Sequence, residues 1–312
     1  MVRIKSYAKI NLSLNITGRE GGYHTLRSLA ASIDLSDTIF LTRRKLSRVT
    51  MHGLGSEGIP PEKNNALRAA ELFSERFGTD GADISIYKDI PMGAGLGGSS
   101  ADAAGVLRGM RKLYGVGTDE ELKELADALG SDTGYMLKGG YALLEGRGER
   151  VTPLPCAETL WLLLLLPREG VSTAECYRLY DEMPDADGGQ TERCVQALLS
   201  GRAEELGANL FNSLLAPASR LQPAVARALE EAKSFSPYGA GMTGSGSCVF
   251  ALFENDAFCE WAKSRYRGAC RALTAKTIVP KQTIAWKNPF RLSEEELREA
   301  GYTEVRDGRK ID

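Results

Sequence analysis

Residues 90–107 read IPMGAGLGGSSADAAGVL, a stretch that opens like a loop and closes like a helix. Gly93, Gly95, Gly97 and Gly98 strip the backbone of side chains, which lets a ligand approach main-chain N–H groups directly. A glycine loop between a strand and a helix also presents the open N–H donors and positive dipole end of that helix, and phosphate suits both. Ser99 and Ser100 follow at the helix start, where hydroxyls can reach phosphate oxygens or the ligand shell of Mg2+. The spacing is neither GxxxxGK[ST] nor GxGxxG, which excludes a P-loop and a dinucleotide fingerprint. A tight strand–helix connection would use glycine as well. A second glycine–serine turn, MTGSGSCVF at 242–250, adds weight to the ligand reading. Two such turns point to two ends of one polyanionic ligand, or to two phosphorylated ligands that meet.

These turns need elements to hold them. RIKSYAKINLSLNI alternates as a strand, TIFLTRR reads as another, and NNALRAAELFSERFG has helical spacing with Asn64 as N-cap and Gly78 as stop. ADISIYKDIP alternates Ile84, Ile86 and Ile90 up to Pro91, which predicts a strand running into the glycine loop. From Ser100 the series Ala103, Ala104, Leu107, Met110, Leu113 lies on one helical face. In TDEELKELADALG, Thr118 and Glu121 form a capping box and Gly130 ends the helix. GRGERVTPLP marks a boundary near 150–160. Beyond it come a buried strand at 160–166 and helices around 191–200, 203–216, 222–234 and 256–266, a pattern of class α+β. After Trp286 the chain turns charged, with SEEELREAGY as one short amphipathic helix on a surface appendage.

The totals narrow the function classes. At 312 residues the chain suits two ordinary domains. Its most apolar run, LWLLLLLP at 160–167, is far shorter than the ~18–20 residues of a membrane helix, so no membrane partner is expected. Net charge is −2 with dispersed basic residues, which speaks against a nucleic-acid partner. Cys156, Cys176, Cys194, Cys248, Cys259 and Cys270 show no CxxC pair and read as reduced thiols of a cytoplasmic protein. With only His24 and His52, a Ser-His-Asp hydrolase or a multi-histidine metal site is not expected.

PMGAGLGGSSADAA resembles the central phosphate-binding motif of the GHMP kinase superfamily. Met242 to Gly246 resembles that superfamily's third motif, M-[ST]-G-[ST]-G. The opening AKINLSLNITGREGGYHTLRSLAASIDLSD is similar to the branch whose acceptor is a cytidine-diphosphate-linked methylerythritol, with the GYH turn as its most specific element. The resemblance spans roughly residues 3–285. It implies an ATP-dependent kinase of isoprenoid precursor synthesis, with Mg2+ and a cytidine-diphosphate alcohol as acceptor. Kinases of the homoserine or mevalonate type, and a non-catalytic relative, stand as alternatives. The implied fold is α+β: an N-terminal ribosomal-protein-S5-domain-2-like α/β domain over 1–155, a ferredoxin-like domain over 156–285, and a charged tail over 286–312.

By the same resemblance Asp132, in LGSDTGYML, is the base for the acceptor hydroxyl, and Lys9 is the cation beside it. Alternation puts Asn11 on the face of Lys9, as a partner for acceptor hydroxyls. Tyr23 and His24 are implied to hold a cytosine, with Tyr177 closing the sandwich from the second domain. On the nucleotide side the resemblance places Asn64 near adenine and Lys88 near the phosphates. Pro91, Gly93, Gly95, Leu96, Gly97, Gly98, Ser99 and Ser100 form the loop. Thr243, Gly244, Ser245 and Gly246 form the second turn, on the acceptor side. The chain departs from the family pattern at Ser99, Ala101 and Gly21. It also departs at Gly134, where proline would hold a turn, and a looser turn is expected there.

Overall fold

The computed structural model describes residues 1–53, 60, 64–184 and 188–279. The chain begins with two long antiparallel strands, β1 (Val2–Glu20) and β2 (Tyr23–Arg44). They are joined by the two-residue turn Gly21–Gly22, both with positive φ (57° and 83°). A type I′ hairpin turn requires that conformation at both central positions, which accounts for glycine at 21. Then follow β3 (Arg48–His52), α1 (Asn65–Phe77), β4 (Gly81–Tyr87), α2 (Gly98–Tyr114), α3 (Asp119–Leu129), α4 (Thr133–Lys138), β5 (Tyr141–Gly146) and β6 (Arg150–Pro153). One edge of β2 is shared: β5 takes Leu26–Ala31 and β4 takes Thr38–Arg44. The helix caps form as their residues dictate. The Asn64 side chain accepts from the N–H groups of Ala66 and Leu67, and Thr118 and Glu121 close their box.

The second half holds β7 (Trp161–Leu166), α5 (Thr173–Glu182), α6 (Gln190–Leu199), α7 (Ala203–Ala208), β8 (Phe211–Asn212), α8 (Leu215–Leu221), α9 (Pro223–Lys233), β9 (Gly239–Met242), β10 (Val249–Phe253), α10 (Asp256–Arg265) and β11 (Arg271–Lys276). Its sheet has the order β11-β7-β10-β9, all antiparallel. With α9 and α10 as crossovers, this is the ferredoxin-like arrangement. β8 leaves that sheet and pairs in parallel with β1 at Ser13 and Leu14, and α6 also packs on β1 and β2. Among the described residues no helix is long and apolar enough to cross a membrane.

Several elements depart from the sequence reading. Residues 203–216 are not one helix: α7 ends at Ala208, β8 intervenes, and α8 starts at Leu215. The Asn212 amide donates to the carbonyls of Met242 and Gly244, a distant contact that overrides local helical spacing. β4 stops at Tyr87 rather than at Ile90, because the next residue turns inward to an ion pair. β11 carries a weak pattern, RALTAK, and gains its identity from pairing with β7. Gly134 lies inside α4, not in a turn, and a Cβ there would stand 2.8 Å from Asp127 Oδ1. The SEEELREAGY segment lies outside the described residues.

β1 lies between β2 and β8 and so touches both halves of the chain. Ala8 to Ile16 are all buried, although every second residue is polar. Ala8, Ile10 and Leu12 join the core beneath α2, whereas Leu14 and Ile16, beyond a bulge between Asn11 and Ser13, join the core of the second half. α2 lies close on the sheet because Gly105 and Gly109 face it. A Cβ at Gly105 would stand 2.0 Å from Ser6 Oγ and 2.7 Å from Ile39 Cδ1. Gly105→Ala should therefore lower Tm in calorimetry, overpacking at about 1–3 kcal/mol outweighing the helix-propensity gain of about 1 kcal/mol. A raised Tm would mean that the sheet yields to the methyl group.

Candidate active site

The glycine loop leaves β4 and enters α2 with Gly93, Gly95 and Gly97 all at positive φ (67°, 76° and 73°). Space as well as angle demands glycine. A Cβ at Gly95 would stand 2.2 Å from the Thr243 carbonyl oxygen, whereas at Gly97 it would meet the movable end of Met136, so there the angle decides. Gly97 is the N-cap of α2 and supplies no side-chain cap, so the first N–H groups of a 17-residue helix face the loop. Beside them a pocket of about 120 Å³ is lined by Asn64, Lys88, Pro91, Gly93, Gly95, Leu96, Gly97, Gly98, Ser99 and Asp102, among others. Ser99 is exposed and receives a hydrogen bond from Asn65 Nδ2 at 3.2 Å.

The two glycine turns meet. Cys248 N–H donates to the Ala94 carbonyl at 3.1 Å, and the Thr243 hydroxyl donates to the Gly95 carbonyl at 3.2 Å. On the other side Lys9 N–H donates to the Leu96 carbonyl at 3.0 Å. The loop is thus clamped between β1 and the 243–246 turn. Ser245 Oγ lies 2.7 Å from Thr173 Oγ1 on α5, and Gly246 N–H donates back to the Thr243 carbonyl.

Lys88 sits under the loop, its side chain 3% exposed, in ion pairs with Asp37 on β2 and Asp102 on α2. Asp37 also accepts the N–H groups of Asp89 and Ile90, at 2.7 and 2.9 Å, which fixes the chain as it enters the loop. The expected phosphate-side lysine is therefore already committed to two carboxylates. One cation between two buried carboxylates leaves a surplus negative charge. Burial, together with the like charge of Asp37, pushes Asp102 up to about 7.

Across the loop Lys9 and Asp132 come together, Nζ to Oδ2 at 3.2 Å. The Lys9 side chain is 5% exposed and that of Asp132 33%, so the carboxylate is the member that looks outward. Asp132 occupies the N-cap position of α4, yet its side chain makes no capping bond. A helix-terminal aspartate with a purely structural role would cap; this one points at Lys9. Lys9 also donates to Asn11 Oδ1 at 2.7 Å. Asn11 does not stand free for an acceptor: Oδ1 further accepts Gly244 N–H at 3.0 Å, and Nδ2 donates to Ser28 Oγ at 2.7 Å.

Both residues open on a cavity of about 490 Å³ that also receives Gly97, Ser99, Ser100, Ser131, Arg147, Tyr177, Gly244 and Ser245. Arg147 and Ser131 went unrecognised in the sequence. The signal for Arg147 was the GRG of its turn, where Gly146 and Gly148 both take positive φ and hold the arginine at the rim. Its guanidinium stands 4.9 Å from the ring centre of Tyr23, which is 61% exposed. His24 does not leave a slot beside Tyr177: the two rings lie 4.8 Å apart and tilted by 32°. Asp37, Asp102 and Asp181 were likewise missed: the first two stand inside the quoted motifs, but no local pattern shows that Lys88 pairs with both.

Helix N-terminus, double glycine turn and lysine–aspartate pair define a small-molecule kinase that draws on ATP, and the comparisons agree. Residues 64–142 match the model of the GHMP kinases N-terminal domain and 194–258 that of the GHMP kinases C-terminal domain. The chain belongs to the 4-diphosphocytidyl-2-C-methyl-D-erythritol kinase family. The relative of that name from Desulfitobacterium hafniense is 41% identical, over 85% of this chain and 93% of its own. The one from Caldicellulosiruptor saccharolyticus is 38% identical, over 81% and 88%. A crystal structure of 4-(cytidine 5'-diphospho)-2C-methyl-D-erythritol kinase superposes with a TM-score of 0.73 at 32% identity, covering 89% of this chain and 99% of that one. A homoserine kinase from Cytophaga hutchinsonii, at 20% identity and a TM-score of 0.69, shares the fold.

Two outcomes follow from this geometry. Gly95→Ala should weaken ATP binding more than tenfold in calorimetric titration, because its methyl group meets a backbone oxygen that cannot swing away; unchanged affinity would mean that the two turns move independently. The raised Asp102 gives the folded state a proton that the unfolded chain lacks between about pH 4 and 7. Its stabilising contribution is full below the ordinary carboxylate range and is lost as pH rises through about 7. Tm should thus fall between pH 5 and pH 8 by more in the unaltered protein than in Asp102→Asn, and equal slopes would show that the proton is not held there.

Proposed function

We propose that the chain transfers the γ-phosphoryl group of ATP to a hydroxyl of 4-diphosphocytidyl-2-C-methyl-D-erythritol, a cytoplasmic step in isoprenoid precursor synthesis. The observation that carries this reading is the Lys9–Asp132 pair, which lies between the open N-terminus of α2 and the larger cavity. The α2 N–H groups and the Gly93–Ser100 loop seat the phosphates, with Asn64 and Pro91 on the adenine side. Lys88 acts from beneath, by holding the loop against Asp37 and Asp102.

Asp132 accepts the acceptor hydroxyl proton, and Lys9, 3.2 Å from it, offsets charge on the transferring oxygens. Asn11 fixes the Lys9 ammonium rather than the acceptor. Arg147 offers the cavity a cation for the acceptor's diphosphate. Tyr23, His24 and Tyr177 receive the cytosine, which requires His24 and Tyr177 to part or the base to lie across them. Thr243 to Gly246 close the acceptor side.

The residues fit Mg2+ as ATP carries it. Among the described residues no group of three or more His, Cys, Asp or Glu could hold a metal ion. Ser100 and Asp132 nonetheless offer oxygen donors on the cavity to an ion held mainly by phosphates. The ion neutralises phosphate charge when bound.

ADP release with ATP, Mg2+ and the cytidine acceptor, run beside homoserine and mevalonate, should show turnover with the cytidine compound alone. Turnover with another alcohol would overturn the acceptor. Asp132→Asn should lower kcat by about 10²–10⁴ with ATP affinity retained, and near-normal turnover would remove Asp132 as the base.

A further inference from the structure

The outer face of the sheet at β1, β2, β4 and β3 plays no part in the mechanism above. Ile4, Ile39, Ile86 and Val49 point to the core, and the alternation of each strand turns their neighbours outward. On that outer face the register sets Arg3 beside Phe40 and Ser85, Lys5 beside Thr38 and Tyr87, and Thr42 beside Asp83 and Arg48. Arg44 follows two residues beyond Thr42, on the same side. Arg3, Lys5, Arg44, Arg48, His52 and Tyr87 are all exposed there.

Basic residues that are dispersed along the sequence therefore meet in space, and the case against a nucleic-acid partner rested on that dispersion. The whole chain carries −2, yet these outward positions hold four cations against the one carboxylate of Asp83. Asp83 is shared by Arg44 and Arg48, at 3.9 and 2.8 Å. On the β1 edge nothing offsets the charge. Among the described residues no carboxylate pairs with Arg3 or Lys5, nor with Arg108, which reaches round from α2 to donate to the Lys5 carbonyl at 3.0 Å. Two such faces would repel, which disfavours a second copy of this chain laid face to face.

Between the cations lie rings. Phe40 meets Tyr87 edge-on with centroids 5.8 Å apart, and Tyr87 stacks on His52 at 4.6 Å and 19°, so the three form a strip across β2, β4 and β3. The Arg3 guanidinium stands 5.8 Å from the Phe40 ring centre. Tyr87 is 48% exposed, which leaves ring surface for a flat ligand. Four-stranded sheets that read RNA stack two or three bases on such rings. Cations that take phosphates and rings that take bases are the two halves of a single-strand site. An anionic membrane would use the cations alone.

We propose that this face binds single-stranded nucleic acid, with Arg3, Lys5, Arg44 and Arg48 on phosphates and Phe40 and Tyr87 under bases. The site is separate from the kinase cleft, since α2 packs on the opposite face of the sheet, against Ser6 and Ile39. Few phosphates are met, so binding is weak and strongly salt-dependent. For four contacts on a single strand, log K falls with log salt at a slope of about −3.

Fluorescence anisotropy of a short labelled oligouridylate with the full chain, in excess MgATP to fill the kinase cleft, should show binding with that slope. Arg3→Glu combined with Lys5→Glu should weaken it more than about tenfold and bring the slope to about −1.4. Tyr87→Ala should weaken it about fivefold or more. Both variants should keep the MgATP affinity of the unaltered protein, which shows them folded. The same charge change on α9 and α10, Lys233→Glu with Lys263→Glu, should leave binding as it was. No binding, binding that ignores the β1 variant, or displacement of the probe by MgATP overturns the proposal. Equal affinity for duplex DNA would leave the rings no role, and capture of phosphatidylserine vesicles without the oligonucleotide would make the face a lipid surface. Either result overturns the single-strand site.

Discussion

Asn11 holds three separate parts of the chain at once. Its carboxamide oxygen takes the Lys9 ammonium and the Gly244 N–H, its amide nitrogen binds Ser28 on the neighbouring strand, and its backbone N–H reaches the Thr243 hydroxyl. A buried amide is tolerated only when its donors and acceptors are matched, and the matching partners here are Lys9, Ser28 and the second glycine turn. The same rule continues along β1. Ser13 lies against Thr191, and Asn15 against Gln190 and Thr191, so the polar side of the strand becomes an internal seam between the two halves of the chain. Lose the matching, and the lysine, the glycine loop and the 243–246 turn lose their common reference.

Two buried lysines flank the start of α2 and do different work. Lys88 has two carboxylates and a side chain only 3% exposed, which suits a brace. Lys9 has one amide and one carboxylate that is a third exposed, which suits a cation whose partner must meet a ligand. Both were legible in the sequence as lysines near a phosphate site, but spacing alone did not distinguish brace from actor. The difference lies in Asp37 and Asp102, whose roles exist only once β2, β4 and α2 are packed together.

What the sequence revealed follows the range of the interactions involved. Caps, the capping box, the Gly78 stop and the alternation of β1 are settled within a few residues, and each was readable. The glycine loop was readable because positive φ and bare backbone leave a local mark. The break at 209–214 was not, since it depends on Asn212 reaching Met242 and Gly244, and β11 was not, since its strand character comes from β7. In the site, most residues sitting in motifs were named at once, whereas Arg147 and Asp181 owe their places to partners far along the chain.

The parallel pairing of β1 with β8 and the bond from Asn11 to Thr243, 232 residues away, also set a timetable for synthesis. At about 5–20 residues per second, roughly 10–50 s separate the appearance of the strand from that of its partner turn. Through that interval the polar face of β1 lacks its partners from the second half: Asn11 waits for Thr243 and Gly244, and Ser13 and Asn15 wait for Thr191. The nascent first half can settle its apolar core beneath α2, but the seam along β1 stays open until residues 190–246 are made. Closure of the catalytic site is therefore among the last events in the making of this enzyme.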